Sequence, residues 1–118
     1  MPGQSDRDIE RLDLVTRMIG ALERRLKGKP REAMFANDRD ELDLTGYRLM
    51  IIGENTNKLS PELKARHPQI DWPRTYYLRN LVTHDYDAVE PSRIWEVTGA
   101  RLDELAAVCR AELAAKGT

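Results

Sequence analysis

Apolar residues recur three and four apart along most of this chain, the spacing that lays one face of an α-helix against a core. Leu12, Val15, Ile19, Leu22 and Leu26 form the first such stripe. It predicts a helix opened by Ser5-Asp6-Arg7-Asp8, with Ser5 or Asp6 as cap, and stopped by Gly28 and Pro30. Met1 to Gln4 read as a frayed start, and residues 33–36 as a connector. Leu42, Leu49, Ile52 and Leu59 form a second stripe, capped by Asn37 or Asp38 and running over about 39–58. Leu44, Met50 and Ile51 thicken it, so this helix must touch more than one neighbour, either centrally in a bundle or at a dimer seam. Gly46 and Gly53 weaken it by up to about 1 kcal/mol each, which suits close approach of another helix. Ser60-Pro61-Glu62-Leu63 reads as an N-cap with Pro at the first helical position, opening a short helix over 61–66 that Pro68 ends. Asp71 caps a helix over about 72–82, with Leu78, Leu81 and Val82 facing the core and Trp72 as a packing anchor. After an acidic loop over 85–90, Pro91 opens a last helix over 91–115. Ile94, Val97, Leu102, Leu105, Val108 and Leu113 line its inner face, and Lys116-Gly117-Thr118 fray.

The pattern predicts an all-α fold: an up-and-down bundle of four main helices plus one short helix, in a single domain over 1–118. The chain has 118 residues, enough for a modest core but small enough to gain from dimerisation. With 19 basic and 20 acidic residues the net charge is −1, so there is no global field of the kind a duplex-DNA binder carries, and any RNA contact must be local. Arg24, Arg25, Lys27, Lys29 and Arg31 cluster at the end of the first helix. Cations suit that end of the helix dipole, and the cluster reads as a solvated terminus, with RNA or partner docking as the functional alternative. The single cysteine, Cys109, excludes an internal disulfide framework, fits a reducing cytoplasm and reads as a small buried apolar group. No signal peptide and no membrane-spanning run is seen, and the His and Cys spacing offers no zinc site.

Reactive side chains concentrate in one place. Residues 78–86, Leu-Arg-Asn-Leu-Val-Thr-His-Asp-Tyr, hold an Arg, an amide, one of only two His, an Asp and a Tyr. Tyr76, Asn80 and His84 are four apart and share a helical stripe, so Asn80 can hold the imidazole. Arg79 and His84 are five apart, about 140° around an ideal helix, so they converge poorly within one helix. Either the helix loosens near His84, or a second copy of the chain supplies the complementary residue. Arg presents a permanent planar charge to phosphate oxygens, and His moves a proton near neutral pH. Together they suffice to cleave RNA through its own 2′-hydroxyl without a metal ion or cofactor, leaving a 2′,3′-cyclic phosphate. The other histidine, His67, sits before Pro68 and reads as a connector residue. Glu54 is placed either to reach the site stretch or as a surface carboxylate. Tyr76 and Tyr77 read as core aromatics or as platforms for a base.

The stretch Arg79 to Tyr86 reads R-N-x-x-x-H-x-Y, which resembles the signature of HEPN ribonucleases and in particular of HepT-type toxins. Ile51-Ile52-Gly53-Glu54-Asn55, Leu59-Ser60-Pro61-Glu62-Leu63 followed by Arg66-His67-Pro68, Trp72, and Ile94-Trp95-Glu96 resemble further segments of that family in order. The resemblance implies a homodimeric helical bundle with its cleft between two copies. Arg79 and His84 would be the catalytic pair and Asn80 their polar neighbour. Tyr86 would be the residue on which a partner antitoxin, a minimal nucleotidyltransferase of the MntA type, places AMP. The chain would then be a metal-independent endoribonuclease toxin of a type VII-like toxin–antitoxin pair, cytoplasmic and without a membrane partner. Leu81, where many relatives carry a basic residue, Tyr77, where many carry Gly, and Pro73 depart from the pattern. The alternatives are a non-catalytic HEPN dimer that binds a nucleotidyltransferase, and a structural bundle in which Arg79 and His84 only tie a helix end.

Overall fold

A computed structural model describes residues 4–30, 37–76 and 100–117. Every regular element among the described residues is helical: α1 (Gln4–Leu26), α2 (Arg39–Asn57), the short α3 (Pro61–Ala65) and α4 (Ala100–Ala115). Residues 72–76 are also helical. α1 packs against both α2 and α4. Its predicted stripe is the reason: Leu12, Val15 and Ile19 are fully buried, and Leu22 and Leu26 nearly so. Leu42, Leu49 and Ile52 of α2 and Leu102, Leu105, Ala106 and Val108 of α4 close on it, with Leu59, Leu63 and Ile70 completing the core. Each large aliphatic side chain removed from water contributes about 1.5–3 kcal/mol, so this seam is the main source of cohesion.

The helix ends follow local chemistry. α1 contains Gln4, Ser5 and Asp6 rather than starting after them, so its opening lies further upstream than the sequence suggests, and Asp6 sits in the first turn where an anion suits the dipole. Its C-terminal end closes with Lys29 N–H donating to Leu26 O at 3.1 Å, while Gly28 takes φ +69°, a conformation open to glycine at little cost. Asp38 caps α2, its carboxylate accepting the Glu41 amide, and Lys58 forms the other cap. Thus α2 stops one residue before the predicted end. Ser60 caps α3 by accepting Leu63 N–H at 3.3 Å, with Pro61 at the first helical position. Lys116 and Gly117 do not fray: their amides donate to Glu112, Leu113 and Ala114 carbonyls, and Gly117 ends the helix at φ +76°.

Among the described elements α1 packs on two long neighbours, and whether α2 has further neighbours lies outside the described residues. The second flank of α2, with Leu44, Met50 and Ile51, is only half-buried, and Tyr47 is exposed. A polar latch joins the start of α1 to the turn between α2 and α3. Asp8 is buried, its Oδ1 accepting Ser60 N–H at 2.9 Å and its Oδ2 accepting Ser60 Oγ at 2.5 Å. Arg11 Nη1 donates to Lys58 O at 2.5 Å alongside it. Two acceptor oxygens are matched to two donors, which is what a carboxylate requires in a dry place.

Candidate active site

Residues 60–76 form the approach to the reactive stretch, and each step has a local cause. Pro61 fixes the first turn of α3, whose C-cap Arg66 donates its amide to Glu62, Leu63 and Lys64 carbonyls. His67 and Pro68 leave the helix, because a residue before proline is pushed out of the α region. Ile70 tucks into the core. Asp71 then opens the next turn: Arg74 N–H donates to Asp71 Oδ1 at 3.2 Å, and Thr75 N–H to Asp71 O at 3.1 Å. Trp72 is half-buried against the core, and its Nε1–H lies 3.1 Å from both the Lys64 and the His67 carbonyl oxygens. The indole therefore pins the turn back onto the α3 end, an anchoring role as its position suggests.

A carboxylate from the far end of the chain meets this approach. Glu112, on α4, is 7% exposed. Arg66 grips it with two bonds, Nε to Oε2 at 3.2 Å and Nη2 to Oε1 at 2.7 Å. His67 Nε2 lies 2.6 Å from Oε2 and donates to it, since an ionised carboxylate only accepts. Lys116 Nζ stands 3.7 Å from Oε1. The Arg66 hydrogen bonds hold the Glu112 carboxyl at a pKa of about 2, against the opposing effect of burial, with His67 adding to the shift. Arg66 is raised in turn, chiefly by the same hydrogen bonds. His67 thus serves as a connector residue fastened to α4.

On the other side, Thr75 Oγ1 donates to Trp72 O at 2.7 Å and lies 3.3 Å from Thr56 Oγ1 of α2. Thr56 is fully buried, its hydroxyl also within 2.9 Å of Ile52 O and 3.1 Å of Gly53 O. Cys109 is buried in the core, which pushes its thiol up to about 12 and leaves it an apolar packing group, as expected. At the other end of the bundle Arg25 is paired with Glu41, so part of the basic run is neutralised within the fold, while Arg24, Lys27 and Lys29 are exposed. That pair raises Arg25 and lowers Glu41, in each case mainly through the hydrogen bonds between them.

Arg79, Asn80, His84 and Tyr86 lie outside the described residues, as do Tyr77 and Leu81. Tyr76, four residues before Asn80, is half-buried at the end of the described turn, and Glu54 is half-buried on α2. Among the described residues no three His, Cys, Asp or Glu side chains converge to hold a metal ion, and no helix is long and apolar enough to cross a membrane.

Glu112 and Asp8 are buried carboxylates whose roles sequence reasoning missed, and both left a signal. Glu112 follows Val108 by four residues, and Asp8 precedes Leu12 by four, so each continues a stripe that is otherwise apolar. A carboxylate on a buried face must find donors. The partners, 45 and 52 residues away, carry no local mark.

Residues 15–112 match the family described as Ribonuclease HepT-like, and the chain belongs to that family. No solved structure matches it.

Proposed function

We propose that this HepT-like chain is a metal-independent endoribonuclease, the toxin of a type VII-like toxin–antitoxin pair. The observation that carries this reading is the family match over residues 15–112, which takes in the whole R-N-x-x-x-H-x-Y stretch from Arg79 to Tyr86. In the proposed reaction the RNA 2′-oxygen attacks the adjacent phosphorus. The 2′-hydroxyl gives up its proton as the new 2′-O–P bond forms, the P–O5′ bond breaks, and the leaving 5′-oxygen takes up a proton. His84 moves a proton in this exchange, and Arg79 neutralises the charge that grows on the phosphoryl oxygens. Asn80 holds the imidazole. The products carry a 2′,3′-cyclic phosphate and a 5′-hydroxyl, and the reaction uses no cofactor.

The 140° separation of Arg79 and His84 on an ideal helix supports a cleft shared between two copies, each giving one residue to a site. Tyr86 is the proposed control point. An MntA-type nucleotidyltransferase would join its phenolic oxygen to the α-phosphorus of ATP and release pyrophosphate, setting a phosphate where the RNA backbone must lie.

The shared cleft is tested by mixing. Arg79→Ala and His84→Ala chains, each inactive alone, are co-refolded and assayed on RNA. A shared cleft returns part of the activity, because each mixed dimer holds one complete site. A site built within one chain returns none.

A further inference from the structure

The residues leading to Arg79 are tied to α4 and to α2 by polar contacts. On one side Glu112 takes three bonds from Arg66 and His67, at 3.2, 2.7 and 2.6 Å. The His67 carbonyl receives the Trp72 indole N–H at 3.1 Å. The Trp72 carbonyl receives the Thr75 hydroxyl at 2.7 Å. The Thr75 oxygen, its single proton committed to Trp72, faces the buried Thr56 hydroxyl at 3.3 Å on α2. We propose that this chain of contacts, Glu112–His67–Trp72–Thr75–Thr56, positions the helical turn at 72–76 between α4 and α2, and so sets where Arg79, three residues further on, meets the RNA phosphate. The inference rests on Arg79 and His84 being the cleaving pair.

The argument is geometric. Apolar packing is non-directional and holds a helix near its neighbours without fixing its rotation. A hydrogen bond fixes angle as well as distance. Trp72 and Thr75 are three apart, so one turn presents both to its supports. A helical turn held at two points resists rotation about its axis, and along a helix that runs on to about residue 82, as the sequence predicts, such rotation would move the side chains that follow. Displacement of a catalytic group by about 1 Å lowers rate about a hundredfold. The weak joint is Thr56 to Thr75, where one hydroxyl proton is shared among three acceptors. The strong joint is Glu112, clamped by a guanidinium fork. These are positioning residues: none is placed on the RNA.

The test compares the full chain with Thr75→Val, Thr75→Ser and Glu112→Gln on a defined RNA in EDTA, with rates corrected for folded fraction. Valine keeps the shape of threonine and has a similar helix propensity, but it lacks the hydroxyl. The expected result is a fall in kcat of about tenfold or more for Thr75→Val, with KM within about twofold. Thr75→Ser, which restores the hydroxyl, returns most of kcat, and Glu112→Gln lowers kcat as Thr75→Val does. Should Glu112→Gln fail to fold, the Val and Ser pair decides. Full kcat in Thr75→Val, a loss in KM alone, or a Ser chain as slow as the Val chain overturns the positioning role. A wild-type chain that cuts no RNA overturns both this inference and the nuclease reading. A wild type that cuts, beside an unaffected Thr75→Val, overturns this inference alone.

Discussion

Two junctions in this molecule are built from opposite materials. Where α1 meets α2, the buried contact is drawn from Leu12, Val15, Ile19, Leu42, Leu49 and Ile52 and is apolar, with the Arg25–Glu41 ion pair at its exposed end. Where the residue 66–76 approach meets α4 and α2, the contact runs through Arg66, His67, Glu112, Trp72, Thr75 and Thr56, and it is made largely of hydrogen bonds and ion pairs. The first is strong and tolerant of direction. The second is weaker, directional and sensitive to protonation. Cohesion is placed in one and directional contacts in the other, and the directional junction immediately precedes in sequence the residues proposed to cut RNA.

The contrast breaks most readily at its apolar half. Ile52 is fully buried, so Ile52→Ala is expected to destabilise the fold by about 2–5 kcal/mol, read by chemical denaturation. That loss should be nearly independent of pH between 2 and 7, because the substitution removes no ionisable group. A loss under about 1 kcal/mol would remove α2 from the main source of cohesion.

The polar half should fail in acid. The folded-state pKa of Glu112 is depressed to about 2 from an ordinary 4.5. Its contribution is therefore fully present above about pH 4.5 and is lost as pH falls toward 2, up to about 3 kcal/mol by linkage. Glu41, also lowered by its arginine partner, contributes in the same direction. The expected outcome is that wild-type stability falls across this window, whereas Glu112→Gln starts lower at neutral pH and falls less. Parallel curves for the two chains would show that the Glu112 clamp carries no net stability.

The two halves also differ in how far they could be read from the chain. The apolar stripe on α1 named its buried residues one by one, because a period of 3.6 converts directly into a face. The caps at Asp38 and Ser60 and the stop at Gly28 were equally legible, since each depends on a few neighbouring residues. The family segments, with R-N-x-x-x-H-x-Y among them, pointed to a HepT-like ribonuclease, and the family match agrees. The Glu112 clamp and the Asp8 latch were not legible. A charge on an apolar face announces that a partner is needed, but which of 20 acidic and 19 basic residues meet depends on the packing of whole helices. α1 opens earlier than its cap residues suggested. The end of α4 at Ala115 falls where the sequence put it, but the turn beyond is held, because backbone amides at Lys116 and Gly117 find carbonyls in the preceding turn whatever their side chains are.

The central claim, that Arg79 and His84 cleave RNA through its own 2′-hydroxyl, is tested most directly by the ends of the cut. Purified chain with unmodified Tyr86 is incubated with a labelled RNA in EDTA beside Arg79→Ala and His84→Ala, and the fragments are resolved by mass. The account predicts 2′,3′-cyclic phosphate and 5′-hydroxyl ends from the wild type, and about a hundredfold or greater loss of cutting in each variant while helical content is kept. Fragments with 5′-phosphate ends, or undiminished cutting by either variant, would contradict it.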